Sequence, residues 1–150
     1  MHIVYHLFEA VNFGGIERIV LAKANWLVNH GNKVTIITTD RRFRKPFYRI
    51  DERIEMIDLG INYHNDLSLP WIKRQVNRFL KLRRHKKVLA QVLERIKPDI
   101  TVSTFGNELG LLYKIKEGSK KVVEVHFSRM FRQREAGGFT RKLSSFSSST

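Results

Sequence analysis

Two adjacent glycines and the residues after them form the first candidate site. Gly14 and Gly15 lie between an apolar run and a helical pattern, and Glu17 and Arg18 follow them. Because glycine lets the backbone approach a ligand closely and a helix N-terminus offers free N–H groups, this turn suits a phosphate. A tight turn that binds nothing has the same pattern, so both interpretations stay open. The spacing is neither G-x-G-x-x-G nor a P-loop, which argues against nicotinamide and ATP sites.

A histidine at the end of an apolar run is the second candidate. His126 directly follows Val125, and its imidazole could donate a hydrogen bond to a hydroxyl or a phosphate and orient it. A strand-end histidine bonded only to backbone is the alternative. Ser103, Thr104 and Asn107 follow another apolar run and are weaker candidates, because small polar residues there are usually caps.

A strongly basic helical segment is the third candidate. The net charge of the 150 residues is +14, and one helical pattern carries ten cations against Glu94 alone. Four of these cations lie at the centre of the helical pattern and are interpreted as facing a membrane: Arg83, Arg84, Lys86 and Lys87. Such a surface attracts anionic lipids, with Trp71 as a candidate interfacial anchor. A solvated basic face is the alternative. Nucleic acid is the least favoured partner, because the aromatic residues fall on apolar stripes or turns and no known motif is present.

Composition excludes several classes of site. The chain has no cysteine, and its histidines show no metal-binding spacing, so no metal site and no cofactor are expected. No apolar run approaches 18 residues, and the N-terminus has no signal-peptide pattern. These features predict a cytoplasmic protein, with a peripheral position on the inner face of the membrane as the finer expectation.

The elements that must position these residues alternate between strand and helix. Strands are predicted at residues 3–8, 33–39, 54–59, 100–104 and 121–125, and helices at 16–30, 70–97 and 107–116. This alternation predicts an α/β fold, a Rossmann-like parallel sheet with helices on both faces. Ligands of such sheets bind beyond the carboxyl ends of the strands, where all the candidate loops fall.

The long helical segment carries two apolar patches separated by the basic run. Ile72, Val76, Phe79 and Leu80 form a stripe that residues 89–96 are expected to resume, with a kink or two helices left open. Residues 1–130 are expected to form one domain. The basic and serine-rich residues 131–150 are expected to be disordered, or to mark a truncation.

The N-terminal motifs resemble family 4 retaining glycosyltransferases, which have the GT-B fold. The resemblance rests on residues 13–20, FGGIERIV, and on the later segments ANWL and GNKVTI, with Asn32 where that family often has histidine. It implies the N-terminal, acceptor-side half of a two-domain enzyme, with the glycine turn and Glu17 and Arg18 near the donor diphosphate. By the same resemblance, His126 would line the acceptor side as the catalytic residue.

The resemblance also implies partners and a missing half. The partners would be a nucleotide-sugar substrate and a lipid-linked or polysaccharide acceptor, in a hexosyltransferase-type reaction. Glu9 and Glu17 match the Glu-x7-Glu spacing of that family, but the signature belongs to its donor-binding domain, which this sequence lacks. The chain is therefore expected to be inactive alone. The alternative is a non-catalytic basic module that binds an anionic membrane or a separate donor-domain chain.

Overall fold

Strands and helices follow one another along the chain in the order that the sequence predicts. The computed structural model describes residues 1–7, 15–39, 48–63, 70–104 and 109–125. Within these ranges the elements follow one another as β1 (His2–Leu7), α1 (Gly15–Asn29), β2 (Lys33–Thr38), β3 (Glu55–Asp58), α2 (Trp71–Ile96), β4 (Ile100–Ser103), α3 (Leu109–Leu112) and β5 (Lys120–Val123). The boundaries agree with the predicted ones to within about two residues for all elements except the short α3.

The strands form one parallel sheet in the order β3-β2-β1-β4-β5. The central strands are buried on both faces, which explains why β1 and β2 have apolar side chains on both faces and do not alternate apolar with exposed polar residues. From β1 the chain passes through α1 to β2, which is the neighbour of β1 on one side. After β3 it passes through α2 to β4, which is the neighbour of β1 on the other side. This is the predicted α/β, Rossmann-like architecture.

Two apolar cores lie on opposite faces of the sheet. On the first face, which we call the α1 face, Ile3, Tyr5 and Leu7 pack with the buried side of α1. On the second, the α2 face, Val4 and Ile37 pack with Leu89 and Leu93 of α2 and with Leu112 of α3. Successive side chains of a strand point to opposite faces, so the residue numbers of β1 alternate between the two cores.

Backbone geometry explains where the two long helices end. Gly31 follows α1 with a φ of 78°, the left-handed conformation that glycine adopts without steric cost. Lys97 ends α2 with a φ of 49°, and its N–H donates to the carbonyl of Leu93. Pro98 comes next and cannot continue a helix. Between Trp71 and Ile96 the helix is continuous, so the basic run does not divide it into two helices.

The two apolar patches of α2 do not form one stripe, contrary to the expectation. Both patches follow the i, i+4, i+7, i+8 pattern, one from Ile72 and one from His85. Their starting residues are 13 positions apart, which at about 100° per residue places the patches about 140° apart around the helix. Only the second patch packs on the sheet. The members of the first are more than half exposed: Ile72 69%, Val76 54%, Phe79 55% and Leu80 55%.

Candidate functional site at the carboxyl edge of the sheet

The carboxyl ends of the parallel strands gather the candidate residues at one edge. Strand β1 ends at Leu7, β4 at Ser103 and β5 at Val123, and α1 begins at Gly15 on the same side of the sheet. Gly14, Asn107 and His126, which the sequence places in the adjoining loops, lie outside the described residues, as does Glu9. Their roles stay predictions.

Gly15 is the first residue of α1 and is exposed. Its φ is not in the left-handed region, and a Cβ built on it would meet nothing within 4 Å. Among the described residues, neither backbone geometry nor packing gives a reason for glycine at this position. Glu17 is half-buried in the first turn, where its carboxylate complements the helix dipole, and Arg18 is exposed. The turn thus presents N–H groups and one guanidinium at the carboxyl edge.

Ser103 and Thr104 lie deeper than the sequence suggests. Ser103 is fully buried and Thr104 is 8% exposed, so neither side chain forms an open part of the edge. Ser103 pairs in register with His6 of β1, and the two side chains share the α2 face. Ser103 Oγ and His6 Nδ1 have no hydrogen-bond partner among the described residues. Two polar groups therefore lie side by side under the candidate edge.

Sequence reasoning missed a buried polar chain that starts at His6. His6 Nε2 lies 3.1 Å from His85 Nε2 of α2, and His85 Nδ1 lies 3.0 Å from the hydroxyl of Tyr63. The two imidazole rings stack with centroids 5.2 Å apart. The only sequence signal was a histidine inside an otherwise apolar strand, and another at the core-facing spacing of α2. The two histidines are 79 positions apart in the sequence, so no local pattern reveals the contact.

The histidine pair is held neutral by its surroundings. Burial, reinforced by the neighbouring His85, lowers the pKa of His6 to about 3, and burial lowers the pKa of His85 to about 4. A neutral pair has linked tautomers. If the Tyr63 hydroxyl donates to His85 Nδ1, His85 Nε2–H donates to His6 Nε2 and the proton of His6 stays on Nδ1. Such a chain of hydrogen bonds fixes the orientation of its three side chains and passes a change of tautomer from one imidazole to the other. It is a poor proton acceptor near neutral pH.

The central basic residues of α2 lie on the helix surface, away from the buried chain of His6, His85 and Tyr63. Arg83, Arg84, Lys86 and Lys87 are all exposed. The guanidinium of Arg83 lies 4.7 Å from the ring centroid of Phe79, a cation–π contact between a cation and the exposed apolar patch. Trp71 is 65% exposed and so is not a core residue. Trp26 of α1 is also exposed and stacks on His30.

The described ranges hold no group of three or more histidine, aspartate and glutamate side chains that could bind a metal ion. Within the same ranges, no helix combines the length and the apolar character needed to cross a bilayer.

The comparisons with known proteins support the fold. No family model and no curated protein matches the sequence. Among solved structures, the chain is similar to a lipopolysaccharide outer core galactosyltransferase, WaaB, in its apo form, with a TM-score of 0.55 and 18% identity. The match covers 85% of this chain and 34% of that one, so the chain spans about a third of the solved galactosyltransferase. The protein thus has a glycosyltransferase-like, Rossmann-type fold.

Proposed function

We propose that the chain is the N-terminal, acceptor-side domain of a family 4 GT-B glycosyltransferase. Such an enzyme would transfer a sugar from a nucleotide-sugar donor to a lipid-linked or polysaccharide acceptor. One observation carries the proposal: a parallel sheet with the fold of a galactosyltransferase has α1 beginning directly at the Gly15-Ile16-Glu17-Arg18 motif. The match covers 34% of the solved galactosyltransferase, so the proposal concerns the acceptor-side domain only, and residues 1–150 by themselves would be inactive.

The glycine at the start of α1 supports a ligand at that position. Among the described residues nothing lies within 4 Å of a Cβ built on Gly15, which leaves room for the close approach of a donor diphosphate. Helix N–H groups and the Arg18 guanidinium would stabilise negative charge on the departing diphosphate. The carboxylate of Glu17 repels an anion, so its proposed role is to accept a hydrogen bond from a hydroxyl or to stabilise the turn.

Titration of the labelled chain with pyrophosphate and with nucleoside diphosphates, followed by amide NMR, tests this site. We expect the amides of Gly15, Ile16 and Glu17 to shift, and Gly15→Ala to weaken the binding. Gly110→Ala is the matched control, since a Cβ there also meets nothing within 4 Å and its φ is ordinary. If the amides at the start of α1 do not shift with any diphosphate, the proposed diphosphate site is wrong. The same holds if the Gly15→Ala and Gly110→Ala variants bind with equal affinity.

The acceptor side of the proposal rests on His126. Placed after β5, its imidazole would orient the acceptor hydroxyl beside the donor. In an intact two-domain relative, changing the matching histidine to alanine should reduce transfer strongly, whereas unaltered turnover would take His126 out of the site. For this chain, mixing with a separately produced donor-binding domain should restore transfer if the two halves form one enzyme.

A second function, docking on an anionic membrane, is favoured by the exposed apolar patch of α2. This patch does not contribute to the folded core, and four large apolar side chains remain in water. Arg83 and Lys87 continue the same side of the helix one to two turns further on. Apolar side chains followed by cations suit insertion below the headgroups of an anionic lipid surface, where each cation adds about 1 kcal/mol.

Vesicle co-sedimentation separates docking from a merely solvated basic face. Phe79→Ser leaves the charge unchanged and should weaken binding to vesicles that contain phosphatidylglycerol. Reversal of Arg83, Arg84, Lys86 and Lys87 to glutamate should abolish it. The control is charge reversal at exposed lysines outside α2, Lys114 and Lys116, which should cost much less. Equal losses in both charge-reversed proteins, or tighter binding to DNA at matched salt, would contradict a lipid-specific surface.

A further inference from the structure

Tyr63 is held at one end of the buried polar chain by the backbone segment 59–63. Backbone N–H groups of this segment donate to carbonyls at the end of β2, and the ammonium of Lys81 in α2 donates to the carbonyl of Asn62 at 2.7 Å. Asn62 has a φ of 54°, in the left-handed region that few residues with a Cβ adopt. The segment is thus fixed to the sheet and to α2 just before Tyr63, whose hydroxyl lies 3.0 Å from Nδ1 of His85.

The hydrogen bond between Tyr63 and His85 has a preferred direction. A phenol O–H, with an ordinary pKa of about 10, is a stronger acid than the N–H of a neutral imidazole, and the imidazole nitrogen is a stronger base than the phenol oxygen. Burial lowers the pKa of His85 to about 4, so near neutral pH one of its nitrogens carries a lone pair. Donation from the Tyr63 hydroxyl to Nδ1 of His85 is therefore favoured over the reverse.

The direction of this bond decides the tautomers of both rings. A neutral imidazole has one N–H, so His85 with a lone pair on Nδ1 carries its proton on Nε2. That N–H lies 3.1 Å from Nε2 of His6, which has to accept, and the proton of His6 is then on Nδ1. Ser103, the register partner of His6, does not select the other direction, because a hydroxyl can both donate and accept.

We propose that Tyr63 is a positioning residue that acts through His85 and fixes His6 as the tautomer with its proton on Nδ1. His6 is the second-last residue of β1, so the carboxyl edge has a hydrogen-bond donor there on the α2 face, and not a lone pair. The group that meets this N–H has to be an oxygen acceptor such as a carbonyl, a hydroxyl or a water. The assignment goes beyond the proposed glycosyltransferase function and does not depend on it.

Nuclear magnetic resonance of the full chain with isotope-labelled imidazoles measures the tautomers directly. The ring nitrogen that carries a proton and the one that does not differ widely in chemical shift, and their couplings to the ring hydrogens identify each nitrogen. At about pH 7.5, above the ordinary histidine pKa, we expect His6 to be protonated on Nδ1 and His85 on Nε2. Each should exceed its other tautomer roughly fivefold or more. Substitution of each histidine by glutamine removes the signals of one ring and so assigns them.

Two variants separate positioning from mere packing. Tyr63→Phe keeps the ring and removes the donor, so either direction of the bond between the histidines leaves Nδ1 of His85 without its Tyr63 partner. The two tautomers of His6 should then approach equal populations. His85→Gln should keep His6 protonated on Nδ1, because the carbonyl of the new side chain accepts from Tyr63 and its amide nitrogen only donates. Tyr5→Phe is the matched control: Tyr5 is buried on the α1 face, and its change should leave both rings as they are.

The backbone amide spectrum checks that each variant is folded. His6 protonated on Nε2 in the unchanged chain would overturn the proposal. So would a folded Tyr63→Phe variant that keeps the tautomer ratio of the unchanged chain. If Tyr63→Phe does not fold, the tautomers in the unchanged chain and in His85→Gln decide the direction, and a mixture of tautomers in the unchanged chain would refute it.

Discussion

Acidification from about pH 7.5 to about pH 5.0 should destabilise the chain through two buried imidazoles, His6 and His85. Both are almost fully buried, with 0% and 2% of their surface exposed, and their Nε2 atoms are 3.1 Å apart. Their folded-state pKa values are depressed to about 3 and about 4, below the ordinary value of 6.5. The unfolded chain therefore takes up protons first as the pH falls, which favours unfolding.

The size of the effect follows from proton linkage. Above the unfolded pKa of 6.5 both states are neutral, so the histidines give no pH dependence there. Between pH 6.5 and the folded pKa values, each histidine costs up to about 1.4 kcal/mol of stability per pH unit. From pH 7.5 to pH 5.0 the loss is about 2 kcal/mol for each histidine and about 4 kcal/mol for the pair. This figure requires only that both stay neutral in the folded state at pH 5.0.

Urea denaturation at several pH values, followed by circular dichroism, measures the free energy of unfolding. His85→Gln is the informative variant, because its amide still bonds to His6 and Tyr63 but does not titrate. It should be less stable at pH 7.5, yet lose about 2 kcal/mol less than the unchanged chain on acidification to pH 5.0. His2, whose pKa is lowered mainly by burial, adds a loss of the same sign in both proteins and cancels from the difference.

Parallel pH profiles for the unchanged chain and His85→Gln would refute the reasoning. Such a result would mean that the imidazole of His85 is solvated or already charged in the folded state. A steeper loss in the variant would refute it equally, since removing a titrating group cannot increase the number of protons that this site takes up.

The remaining predictions concern the two sides of α2 and two glycines. Leu89→Ala should lower the free energy of unfolding by about 2–5 kcal/mol, because it leaves a cavity in the α2-face core. Phe79→Ala should lower the free energy of unfolding by less than about 0.5 kcal/mol. If urea denaturation shows a loss equal to that of Leu89→Ala, the first apolar patch is packed. Gly31→Ala should cost about 1–2 kcal/mol, since its φ of 78° strains any residue with a Cβ. Gly15→Ala should not lower the melting temperature, whatever it does to ligand binding.

Local sequence patterns determine the elements of this protein and much of its topology. Each strand is a short β-rich run, and each long helix has an apolar stripe and a stop signal such as Gly31. These signals act over fewer than ten residues or so, which is why they can be recognised in a single sequence. The alternation of strand and helix then restricts the sheet to parallel pairing with crossovers on both faces. The Rossmann-like α/β fold follows from that restriction.

The tertiary structure alone decides which apolar surfaces are buried and which polar groups meet. The periodicity of α2 marks two faces, but only contact with the sheet selects the one that contains Leu89 and leaves Phe79 in water. His6 and His85 become partners because β1 and α2 pack together, a contact across 79 residues that no local spacing encodes. Burial and long-range pairing are properties of the folded whole, so a local pattern can only suggest them.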